Sequence, residues 1–207
     1  MFKRESGLLG IASILFALLT FIGMIVADPP GGDYKESDIT SFLAHDHRTA
    51  CVVGVYLMLA GAVALLYLLA TLRGRLSGRA GAFFAATGTA AGAAWAIGAV
   101  LVTVVPLGLA NGGTVAPEPH TVYMLTQVGF ATLFAAGGIL LGVTLIALAA
   151  TSLFPAWLRV VTLVAGILGL VSPAFFPFMA LLLWGLVFGI WSLASKRLDA
   201  TPAAVPA

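Results

Sequence analysis

The side chains with most capacity for chemistry are three histidines and the acids beside them. His45 and His47 flank Asp46 in the polar stretch 28–48, DPPGGDYKESDITSFLAHDHR, and His120 lies far along the chain, two residues after Glu118. Imidazole nitrogens and carboxylate oxygens are ordinary ligands of zinc, copper and iron, and histidine is also an axial ligand of haem. His45, His47, His120 and Asp46 are therefore the candidate metal set, with a metal ion or haem as the group they would hold. Spacing limits the idea. On a helix, residues two apart diverge by about 200°, so His45 and His47 can share one ion only if the backbone at 44–47 is extended or kinked. Otherwise one of them must meet His120 across the fold, with Asp46 or Asp38 as a further ligand. The expectation we hold first is plainer: polar side chains at headgroup level, binding no cofactor, in a region where histidine can also sense pH.

Other constellations are sparse. The single cysteine, Cys51, precludes an intramolecular disulfide and a cysteine-based metal cluster, and its apolar neighbours mark it as a small buried hydrophobe. No P-loop, dinucleotide fingerprint, H-E-x-x-H or nucleophile elbow occurs. Ser41, His45 and Asp38 share one helix face, which is not the geometry of a catalytic triad. No charged or histidine side chain falls in the core of an apolar stretch, which disfavours proton relays, ion-coupled transport and voltage sensing. Milder groups remain. Thr87, Thr89, Thr126 and Gln127 outline a polar path for a small molecule, although Gln127, with Tyr123 at i−4, is first expected to hydrogen-bond a neighbouring helix.

The elements that must position these residues are apolar helices. Hydrophobic residues make up 61% of the 207, charged residues 9%, and mean hydropathy is +1.10, against about a quarter charged in soluble domains. The fold expected is all-α, an integral membrane bundle of six spans forming one domain over 1–195, with a disordered cytoplasmic tail at 196–207. The spans fall at 8–27, 49–72, 81–105, 120–150, 157–171 and 174–195. The fourth is longer than a bilayer needs, so it tilts or protrudes, and the fifth is short. A cleaved secretory signal is the rival reading of the first. Within the outer loop 28–48, Asp28-Pro29-Pro30-Gly31-Gly32 stops a helix. Asp33 with Glu36, or Asp38, offers an N-cap, and Ile39, Phe42 and Leu43 give a short amphipathic extracytoplasmic helix that can run on into the second span. Pro106 ends the third.

Charge sets the orientation. With the amino terminus inside, Lys3, Arg4, Arg73, Arg75, Arg79, Arg159, Lys196 and Arg197 are cytoplasmic, eight of the ten basic residues, while Lys35 and Arg48 are outside with all three histidines. Both termini are then cytoplasmic, in the inner membrane.

The layout of spans, the acidic first outer loop, Phe154-Pro155-Ala156-Trp157-Leu158 leading into Val164-Ala165-Gly166-Ile167-Leu168-Gly169-Leu170, and Leu183-Trp184 beyond the turn resemble a family of bacterial six-helix membrane proteins catalogued as a domain of unknown function. The resemblance implies the fold and carries no activity. Helices in lipid associate through small residues, and the pairs Gly88 and Gly92, Gly138 and Gly142, Gly185 and Gly189 have the required spacing, so the third, fourth and sixth spans are expected to pack closely. The protein is expected to be a non-enzymatic accessory or structural subunit. Its partners would be the lipid bilayer and a membrane protein or a second copy of itself, with no nucleic acid. A facilitative conduit and a metal- or haem-assisted enzyme are the alternatives.

Overall fold

A computed structural model describes residues 3–195 except 114 and 175, and the side chains from residue 7 onward. The tail 196–207, with Lys196 and Arg197, lies outside the described residues. The described residues form helices and the loops between them, with no strand. The helices are α1 Lys3–Ala27, α2 Glu36–Phe42, α3 His45–Arg73, α4 Gly78–Val102, α5 Val104–Ala110, α6 Pro119–Phe130, α7 Ile139–Ala149, α8 Ala156–Leu170 and α9 Phe176–Ala194. A π-helical segment, Ala131–Gly138, joins α6 to α7 in one 31-residue rod, and a 3₁₀ turn, Ser172–Ala174, precedes α9. Five helical rods (α1, α3, α4, α6 through α7, and α9) are long and apolar enough to cross a membrane; α8, at 15 residues, is shorter.

Several boundaries have visible causes. Asp28 adopts a left-handed φ of +39° and its N–H bonds the Met24 carbonyl 3.0 Å away, so it ends α1 as an αL cap, and Pro29 and Pro30 prevent resumption. Neither Asp33 nor Asp38 caps α2: Lys35 holds the N-cap position, with no side-chain cap hydrogen bond. Nor does α2 run on into α3, because the chain breaks at Leu43 and Ala44. Pro106 does not end a helix; it sits in the first turn of α5, where a missing N–H costs nothing, and the break falls earlier, at Thr103.

The rods pack as successive neighbours. α3 lies against α1 and α4, α4 against the α6–α7 rod, α8 against α7 and α9, and α9 returns to α1. Small residues set the closest approaches. A methyl group on Gly142 would lie 2.7 Å from the Gly166 carbonyl oxygen in α8, and one on Gly189 2.8 Å from the Gly10 carbonyl oxygen in α1. Gly185 also abuts α1, where Ser13 Oγ donates to its carbonyl at 2.7 Å, while Gly88 and Gly92 receive Leu69 and Leu66 of α3 and Gly138 receives Ser172. The three expected glycine pairs therefore mark helix crossings but do not face one another. The approach of α4 to the π segment is made by other glycines, Gly98 against Leu133 and Gly129 against Val102.

The interior is filled by rings. Phe16 meets Trp95 edge-on at 5.1 Å, Trp95 stacks on Phe178 at 4.9 Å, and Phe178 meets Phe134 at 4.6 Å. This aromatic run joins α1, α4, α9 and the π segment in the middle of the fold.

Candidate functional site

Helix directions gather the chemistry-bearing residues at one end of the molecule. The ends of α1, α4 and α8 and the starts of α3, α6 and α9 share it, together with the acidic stretch 28–48. Arg73, Arg75, Arg79 and Arg159 lie at the opposite end, where Arg73 Nη1 donates to the Leu76 carbonyl at 2.5 Å and Arg159 Nε to the Ala149 carbonyl at 3.1 Å.

The expected metal set does not assemble. α3 begins at His45, so His45 and His47 diverge on its first turn, and His45 and Asp46 are exposed. His47 turns inward instead and its Nε2 lies 3.0 Å from the Ala27 carbonyl, the last of α1, so the imidazole serves as a donor to a helix terminus. His120 packs edge-on against Tyr34 at 5.6 Å. Among the described residues no three His, Cys, Asp or Glu side chains converge on a point that could hold a metal ion. Cys51 is buried, with its Sγ 3.6 Å from the same Ala27 carbonyl.

The expected polar path is likewise dispersed. Thr87 accepts from Thr144 Oγ1 at 2.9 Å and donates back to the Phe83 carbonyl, Thr126 donates to the Val122 carbonyl, and Thr89 is exposed. The Thr87 and Thr126 hydroxyls satisfy themselves within or between helices, as threonines in apolar helices do. Gln127 alone of the four reaches open space, and its expected interhelical hydrogen bond is not made: Nε2 is buried without a partner.

That open space is a cleft of about 720 Å³ at the acidic end. Phe21, Met24 and Ile25 of α1 form one wall; Phe130, Ala131, Phe134 and Ala135, spanning the α6–π junction, form another; Pro173 and Met179 form the floor. Asp28, Gly31 and Gly32 make its polar rim. Phe21 and Ile25 are about half exposed, at 45% and 60%, so they stand at the mouth and the cleft opens outward between α1 and the long rod.

Local structure holds the cleft in shape. The π segment widens its rod by the extra backbone of an i→i+5 turn, a feature common at functional sites. Ser172 Oγ donates to the Phe134 carbonyl within it, pinning the widened turn to the floor. The loop after Asp28 is tied over α6 by Tyr123, whose hydroxyl donates to the Gly32 carbonyl at 2.6 Å, and Tyr34 packs on Tyr123 at 5.4 Å. α2 closes the same end, burying Ile39 and Phe42 against Val122 and Cys51. The result is a pre-formed apolar slot, one buried unpaired amide, and a carboxylate at its rim. Pockets of this size and lining are those in which proteins bind small apolar or amphiphilic molecules.

Compared with family models, with curated proteins and with solved structures, the chain gives no match in any of the three.

Proposed function

We propose that this chain is an inner-membrane protein of six crossings with both termini cytoplasmic, and that it acts without catalysis by holding an acyl chain of a lipid or similar amphiphile in the cleft beneath its outer loop. The observation that carries the proposal is the cleft itself: apolar walls from α1, the π segment and α9, opening outward beside Phe21 and Ile25. Gln127 lies eight residues into the rod that begins at Pro119, about 12 Å along its axis. In a bilayer this is the depth at which headgroup gives way to hydrocarbon, so the cleft faces the upper part of an acyl chain. The sixth crossing is α8, about 22 Å long for its 15 residues, and α2 is an extracytoplasmic lid. The likeness to the bacterial six-span family agrees with this layout and adds no activity.

The aromatic packing of Phe16, Trp95, Phe178 and Phe134 in the interior argues against an axial conduit, and the divergence of His45, His47 and His120 argues against a metal enzyme. The test is retention of lipid. Purified in mild detergent and examined by native mass spectrometry, the wild-type protein is expected to carry bound lipid, and Ala135→Phe, which fills the slot, is expected to lose it. Equal retention by a folded Ala135→Phe variant would place the lipid elsewhere and end the proposal.

A further inference from the structure

Two polar groups in an otherwise apolar slot leave a pattern that a hydrocarbon chain alone does not answer. Gln127 offers a buried N–H pair with no acceptor, in a place where an unmade hydrogen bond costs about 1–3 kcal/mol. Asp28 is the one charged residue among those lining the cleft, and it stands at its rim. An acceptor is therefore wanted beside Gln127, and a cation at Asp28 on the rim. No lysine, arginine or histidine lines the cleft to receive an anion.

We infer that the cleft selects an outer-leaflet phospholipid whose head carries an ammonium group, the ammonium donating to the Asp28 carboxylate while the Gln127 amide, whose nitrogen is covered by its neighbours, turns toward the slot to donate to an acyl ester carbonyl. The lipid phosphate stays outside the slot, in water. This selection presupposes the chain-binding cleft proposed above. A phospholipid of the same chains with an uncharged glycerol head presents net negative charge to Asp28 and gains no ion pair, so charge complementarity decides between them.

The experiment is competition by native mass spectrometry. Purified protein is equilibrated with equal amounts of phosphatidylethanolamine and phosphatidylglycerol bearing identical acyl chains. Wild type is expected to retain the ethanolamine lipid by about tenfold, a difference of about 1.4 kcal/mol. Asp28→Asn removes the charge but keeps a residue that tolerates left-handed backbone, and Asp28→Gly does the same with no side chain; both are expected to bind the two lipids equally. Gln127→Leu is expected to weaken both lipids alike, leaving their ratio unchanged. Equal retention by wild type, or an unchanged ratio in both Asp28 variants, would overturn the headgroup assignment while leaving chain binding in place. Loss of the cleft as a lipid site is diagnosed separately by Ala135→Phe.

Discussion

At the scale of single residues, the most chemically suggestive side chains turn out to do structural work. His47 is the clearest case: its imidazole donates to the Ala27 carbonyl, tying the first turn of α3 to the last of α1. His47→Ala should cost about 1 kcal/mol, the net worth of one such bond, and lower the melting temperature of the detergent-solubilised protein. His45→Ala, at an exposed position, should leave it unchanged. Equal effects of the two would mean that the His47 bond is not made. The helical spacing of His45 and His47 already argued against joint chelation, and that much was legible in the sequence. What spacing could not say was that His47 would find a carbonyl 20 residues earlier, because the partner is a helix end created by Asp28 and the prolines after it. Gln127 was legible only as an amide in need of a partner. Its opening onto a cleft depends on the helices around it, and local sequence does not encode those.

At the scale of elements, helix positions followed from hydropathy, since long apolar runs have one stable form in lipid. Breaks within the runs were less legible. Nothing in Ala131-Thr132-Leu133-Phe134-Ala135-Ala136-Gly137-Gly138 signals a π segment; it is held by a contact from elsewhere, the Ser172 hydroxyl on the Phe134 carbonyl. Ser172→Ala removes that bond and should destabilise the protein by about 1 kcal/mol, measurable as a lowered melting temperature, with lipid retention reduced because the wall of the cleft loses its anchor. Glycines sort by the same kind of contact. Gly142→Ala places a methyl 2.7 Å from the Gly166 carbonyl oxygen and forces α7 and α8 apart, so a loss of about 1–3 kcal/mol is expected. Gly108 lies in α5 with nothing within 4 Å of an added methyl, and Gly108→Ala should stabilise by roughly 0.5–1 kcal/mol through lower chain entropy. Thermal melts of the two variants side by side give opposite signs if helix crossing, not glycine content, is what matters. The spacing of glycine pairs found Gly142, Gly185 and Gly189 but could not name the facing helix, and it passed over Gly98 and Gly129, which set the approach of α4 to the π segment.

At the scale of the whole molecule, connectivity and charge combine into a prediction of orientation. Successive helices α1, α3, α4, the α6–α7 rod, α8 and α9 alternate in direction, so the arginines of the α3–α4 and α7–α8 turns fall at one end and the acidic stretch, α2 and the cleft at the other. Basic residues near span ends are retained on the cytoplasmic side, so the orientation proposed here would set the cleft in the outer leaflet. The proposed topology depends on α8, whose 15 residues span well under the thickness of a bilayer. A helix of 15 residues can still cross where its neighbours thin the bilayer locally or where flanking side chains reach the interface. α8 does pack along α7 on one side and α9 on the other, with Gly166 and Gly169 against Gly142. If α8 crosses, a cysteine at Ser37 in α2 and a reporter fused after the last residue must report opposite sides of the membrane. In a Cys51→Ala background, Ser37→Cys should react with a membrane-impermeant maleimide on intact cells. Ser77→Cys, in the α3–α4 turn beside Arg73 and Arg79, should react only after permeabilisation, and the carboxy-terminal reporter should behave like Ser77→Cys. A terminal reporter on the same side as Ser37→Cys would mean that α8 does not cross, and the floor of the cleft would then have to be redrawn. Reaction of Ser77→Cys on intact cells would invert the whole molecule, moving the cleft to the inner leaflet and Asp28 away from the lipids it is proposed to select.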